Sequence, residues 1–124
     1  MKVLLVDDER ELVSTLAERL SFRGIQADWA TSGEEAMRLA EKNTYDVAVL
    51  DVKIPRISGL ELKRRLHAKI PGMKFIFMTG HGSEDEFRNC SAEAGEGCYL
   101  VKPVNIEDLT RKMNELMNAS EVKP

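Results

Sequence analysis

The opening stretch Met1–Asp8, MKVLLVDD, sets a short apolar run, Val3 to Val6, directly against two carboxylates. An unbroken apolar run without polar alternation suits a strand covered on both faces, because a half-wet strand alternates. Similar runs return at Ile25 to Ala30, Val47 to Leu50, Phe75 to Met78 and Cys98 to Val101, and most are apolar at successive positions. Longer segments of helical period lie between them, the pattern of repeated βαβ units around a parallel sheet.

The helical segments carry their own boundary signals. Leu12, Val13, Leu16 and Leu20 fall on one face of a first helix that stops near Gly24, a residue suited to a left-handed cap. Ser32 with Glu35, Ser58 with Glu61 and Ser83 with Glu86 have capping-box spacing ahead of the second, third and fourth helices, and Asn105 caps the fifth. The fifth helix aligns Ile106, Leu109, Met113, Leu116 and Met117, whereas the fourth offers only Phe87, Cys90 and Ala94, so it is expected to be weakly anchored. Residues 1–119 are expected to form one domain, and 120–124 a tail or linker stub.

Composition narrows the class. A chain of 124 residues can bury one core but not two. Apolar residues at 43% and charged ones at 31%, both signs interspersed, describe a globular protein and not a disordered one. A net charge of −3 without a Lys/Arg cluster argues against nucleic-acid binding by this chain alone. The apolar start is too short for a secretory core or a membrane span, so a cytoplasmic location is expected. Cys90 and Cys98 lack CxxC spacing and read as reduced structural thiols.

Chemistry gathers where the strands end, the rim at which open parallel sheets bind ligands. The first run ends in Asp7 and Asp8, the third in Asp51, the fourth in Thr79, and the fifth passes through Tyr99 into Lys102 and Pro103. Three acids in one crevice repel one another unless a cation neutralises them, and hard oxygen ligands favour Mg²⁺. Each residue has a plainer role when taken alone. Asp7 and Asp8 can cap the first helix, Thr79 can bond to backbone, Tyr99 can pack, and Lys102 can sit in solvent. Gly59 reads as a residue that lets the loop after Asp51 turn, and Trp29 as packing; His67 and His81 share no ligand spacing.

The ordered set Asp7-Asp8, Asp51, Thr79 and Lys102-Pro103 resembles the signature of bacterial response-regulator receiver domains over nearly the whole chain. The resemblance implies a flavodoxin-like fold, a five-stranded parallel sheet of order 2-1-3-4-5 flanked by five helices; the flavodoxin-like order is one for which a receiver is a standard example. It implies that Asp51 accepts a phosphoryl group, that Asp7, Asp8, Asp51 and the backbone carbonyl of Lys53 hold Mg²⁺, and that Lys102 and Thr79 meet phosphoryl oxygens. Pro103 then corresponds to a cis peptide bond, Thr79 and Tyr99 to a switch pair, and Lys53 and His81 to positions that tune phosphoryl lifetime. Two positions depart from the pattern: Ile54 stands where methionine is frequent, and Cys98 replaces a frequent acid. The stretch Thr79-Gly80-His81-Gly82 is similar to receivers of enhancer-binding transcription regulators.

The implied partners are a sensor histidine kinase or phosphotransfer protein and a downstream effector domain or protein. Homodimerisation on phosphorylation, through the fourth and fifth helices, stays open. The alternative is a receiver-like interaction module that works without phosphorylation, which the intact residue set disfavours. A flavodoxin-type carrier must cradle a phosphate in its first loop, where Asp7-Asp8-Glu9 would repel it. A phosphohydrolase with an aspartyl nucleophile would want an acid where Lys53 stands. The chain is therefore expected to be a signalling switch and not an enzyme with an external substrate.

Overall fold

The structure is a computed structural model that describes residues 1–80 and 99–121. The apolar runs form five parallel strands: β1 (Lys2–Val6), β2 (Gln26–Ala30), β3 (Val47–Asp51), β4 (Lys74–Thr79) and β5 (Tyr99–Val101), in the order β2-β1-β3-β4-β5. Four helices accompany them among the described residues: α1 (Arg10–Phe22), α2 (Gly33–Lys42), α3 (Gly59–Lys69) and a C-terminal helix (Ile106–Glu121). The fourth helix expected from the Ser83 cap, with Phe87, Cys90 and Ala94, lies outside the described residues, as do His81 and Cys98. The C-terminal helix continues through Ser120 and Glu121, into the segment expected to be tail.

Alternation along each central strand divides the core in two. Leu4, Val6, Ala48, Leu50 and Phe77 face Ala36 and Ala40 of α2 and Leu62 and Leu66 of α3. Val3, Leu5, Val47, Val49, Ile76 and Met78 face Val13, Leu16 and Leu20 of α1, with Leu109 and Met113 of the C-terminal helix. Nearly every residue of β1, β3 and β4 is buried, as runs apolar at successive positions require. The flanking strands differ. β2 buries only Ala30, and β5 leaves Val101 about half exposed, because each lies at a sheet edge.

Local chemistry sets the element ends. Gly24, at φ 77°, follows α1; the Ile25 amide donates to Leu20 O at 3.0 Å and the Gly24 amide to Ser21 O at 3.0 Å, a Schellman closure. The helix end thereby engages the Ile25 amide, and β2 begins one residue later than the apolar run. Ser32 accepts from the Glu35 amide, while Glu35 reaches back to the Thr31 amide rather than that of Ser32. Ser58 likewise accepts from the Glu61 amide, but the Glu61 carboxylate turns outward to Arg64 and Arg65. Asn105 accepts from the amides of Glu107 and Asp108, as its expected capping role requires.

Candidate functional site

The carboxyl ends of four adjacent strands build the site. The chain leaves β1 through Asp7, whose amide still donates to Ala30 O of β2 at 3.2 Å. Its Oδ1 accepts from the Glu9 amide at 2.9 Å, a local turn that starts α1. The plain capping role is thus partly real, but the residue at the N-cap itself is Glu9, which makes no side-chain cap. Asp51 forms the same kind of turn at the end of β3, with Oδ1 accepting from the Lys53 amide at 3.1 Å.

Asp7 is wholly buried and Asp51 nearly so, whereas Asp8 is exposed; one carboxylate oxygen from each lies within 4.8 Å of the others. Lys102 enters from the end of β5. Its amide donates to Thr79 O at 2.7 Å, and its Nζ stands 2.5 Å from Asp7 Oδ2, 3.2 Å from Asp51 Oδ2 and 3.3 Å from Glu9 Oε1. The Lys102–Pro103 peptide is cis, as expected. Burial opposes the Lys102 charge, but the close contact with Asp7 and the field of Asp51 outweigh it and hold the ammonium above its usual range. Burial also raises the Asp7 carboxyl above the carboxylate range, despite Lys102. Asp7 Oδ2 contacts Lys102 only as an ion pair; it accepts no well-aligned hydrogen bond.

The donor set fits a hard divalent cation. Asp7, Asp8, Asp51 and Glu9 outnumber one ammonium, and a buried carboxylate oxygen is left short of a hydrogen bond.

Thr79, at the end of β4, is buried, and its Oγ1 lies 3.4 Å from the hydroxyl of half-buried Tyr99. The two belong to one face of the β4–β5 pair, since Phe77 opposes Tyr99 and Thr79 opposes Val101. Asp51 opposes Met78, so Thr79 sits one residue beyond the Asp51 level. The structure therefore joins Asp7, Asp8, Asp51 and Lys102 in one cluster and places Thr79 and Tyr99 beside each other. Lys53 follows Asp51 with an exposed side chain, and His81 is outside the described residues.

Two residues acquire roles that their sequence positions did not disclose. Glu9 adds a carboxylate to Lys102; its place directly after Asp7-Asp8 was the available signal. Gly59 opens α3 directly after the loop, and its missing side chain answers a need for space. A Cβ there would stand 2.3 Å from Asp51 O and 3.0 Å from Val52 Cα, so the start of α3 can approach the end of β3 only without a side chain.

The sequence profile of the response regulator receiver domain family matches residues 3–114. The chain belongs to that family. Among related sequences, response regulator MprA of Mycobacterium sp. strain KMS is 36% identical over 94% of this chain, and the MprA of Mycobacterium leprae is 33% identical over 98%. The receiver spans about half the length of these curated relatives.

Solved receivers share its architecture. One from Clostridium thermocellum superposes with TM-score 0.84 at 32% identity, covering 97% of this chain and 96% of that one. A response regulator of Burkholderia pseudomallei, 26% identical with TM-score 0.80 over 96% of this chain and 72% of its own, was crystallised with a phosphorylated aspartic acid, a calcium ion and citrate. Among the described residues of this receiver, no helix is long and apolar enough to cross a membrane.

Proposed function

We propose that this receiver is a cytoplasmic signalling switch set by Mg²⁺-dependent phosphoryl transfer onto Asp51. The observation that carries the reading is the buried Asp51 carboxylate held between Asp7, Asp8 and the Lys102 ammonium. The donor is a phosphohistidine on a sensor kinase or phosphotransfer protein. An Asp51 oxygen attacks phosphorus in line, the P–N bond breaks, the imidazole leaves, and an acyl phosphate forms on Asp51.

Asp7, Asp8, Asp51 and the Lys53 carbonyl would hold Mg²⁺, which when bound offsets the negative charge of the carboxylates and the incoming phosphoryl oxygens. Lys102 exchanges its Asp51 contact for a charge-assisted hydrogen bond to a phosphoryl oxygen. The Thr79 hydroxyl turns to another oxygen, and Tyr99, released from Thr79, reorients. The surface formed by the expected fourth helix, β5 and the C-terminal helix then presents a new face to an effector domain or protein. The transferred group stays on the receiver, which therefore acts as a switch rather than as an enzyme with an external substrate.

Incubation with acetyl phosphate and Mg²⁺, followed by intact-mass measurement, tests this. Wild type should gain one base-labile phosphoryl group, whereas Asp51→Asn, or wild type in excess chelator, should gain none. An unmodified wild type would instead support a module that signals by contact alone.

A further inference from the structure

Away from the carboxylate cluster, α2 and α3 leave a cavity of about 700 Å³ over the loop that joins β3 to α3. Its lining combines apolar side chains, Met37 of α2 with Pro55 and Ile57 of the loop, with the cationic Arg38, Arg56 and Arg65. Arg65 is engaged by Glu61 at 3.3 Å, whereas Arg38 and Arg56 meet no carboxylate among the described residues. Two acids also border the space. Glu41 is drawn to Lys69 at 3.8 Å, which leaves one acid, Glu34, beside the two guanidinium groups of Arg38 and Arg56.

Arg56 is delivered to this lining by an uncommon backbone. Its φ of 74° lies in the left-handed region, at the third position of the turn Ile54-Pro55-Arg56-Ile57, where glycine or asparagine is the usual occupant. The turn stands on a firm base. Ile57 packs so closely on the start of α2 that a Cβ at Gly33 would lie 2.4 Å from its Cγ2.

Planar guanidinium groups pair with oxyanions through two parallel hydrogen bonds, and a cavity of this volume falls within the range of small-molecule sites. We propose that this cleft binds a small molecule bearing a carboxylate or phosphate on an apolar body. Arg38 and Arg56 hold the oxyanion, and Met37, Pro55 and Ile57 carry the body. The site needs nothing from Asp51 and stands or falls separately from phosphoryl transfer.

Amide NMR titrations of the full chain without Mg²⁺, using naphthyl phosphate, naphthoate, neutral naphthylmethanol and inorganic phosphate, test the site. Saturable shifts are expected at Gly33, Arg38, Arg56 and Ile57 with one or both naphthyl anions, and the better of the two identifies the oxyanion. The neutral compound and bare phosphate should bind about ten-fold more weakly. Arg38→Ala and Arg56→Gly should each reduce affinity about five-fold or more. Glycine preserves the left-handed turn, so that variant keeps its fold. Equal binding of the neutral compound, affinity unaffected by both substitutions, shifts confined to Asp7, Asp51 and Lys102, or no saturable shift would each overturn the proposal.

Discussion

Lys102 Nζ meets Asp7 Oδ2 at 2.5 Å although β5 and β1 are not neighbours; the lysine reaches across the ends of β4 and β3 to a fully buried carboxylate. Asp7 is nevertheless held above the ordinary carboxylate range, foremost by burial and further by Asp51, with Lys102 and the Glu9 amide opposing. Ionising Asp7 therefore costs the fold stability wherever no cation offsets its charge.

That cost has a definite pH dependence. A carboxyl whose folded pKa exceeds its unfolded value contributes most stability where it is protonated in both states, below about pH 4, and the contribution is lost as pH rises through the folded value. In chelator at neutral pH, Asp7→Asn should raise the unfolding free energy by on the order of 1 kcal/mol, with the advantage shrinking toward acid. Urea titrations across pH measure both effects. A variant less stable than wild type at neutral pH would contradict the sign. With saturating Mg²⁺ the ranking should narrow or reverse, because wild type binds the ion more tightly than the variant and gains more stability from it.

Gly59→Ala should lower stability by about 2 to 3 kcal/mol, because the added methyl meets Asp51 O and Val52 Cα, backbone that cannot swing aside. The displaced Asp51 carbonyl should also slow reaction with acetyl phosphate. Denaturation midpoints and phosphorylation rates read the two effects separately.

The Thr79–Tyr99 contact at 3.4 Å is long for a hydroxyl pair, so a double-mutant cycle on Thr79→Ala and Tyr99→Phe in the unphosphorylated protein should give a coupling of no more than about 0.5 kcal/mol. Coupling well above that would mean the pair locks the resting state instead of leaving it ready to rearrange.

We propose that Lys53, an exposed cation two residues beyond Asp51, shields an acyl phosphate from water. Lys53→Ala should accelerate loss of the phosphoryl group roughly three-fold, a barrier change of about 0.7 kcal/mol, followed by mass spectrometry after donor removal. An unchanged decay would sink this role.

The parts of the molecule visible in the sequence are those governed by near neighbours or by burial. Successive apolar residues announced β1, β3 and β4, and Ser32, Ser58 and Asn105 marked helix starts that they do cap. Ile25 misled because its amide is engaged by the end of α1, a competition that apolar character does not register. The Glu9–Lys102 pair joins distant segments, so the place of Glu9 after Asp7-Asp8 hints at its nearness to the acids but not at its partner, and the crowding at Gly59 depends on how closely α3 approaches Asp51. The left-handed Arg56 was silent, since arginine gives no turn signal.

Because the central strands send alternate side chains to opposite faces, the described residues form two coats that share no cluster of buried side chains: α1 with the C-terminal helix on one face, α2 with α3 on the other. Each coat can drift in sequence under its own packing rules, and grafting one from another receiver should disturb its opposite little. The reactive rim, drawn from β1, β3, β4 and β5, is stitched to the sheet common to both, which lets the chemistry stay constant while the outer surfaces diversify.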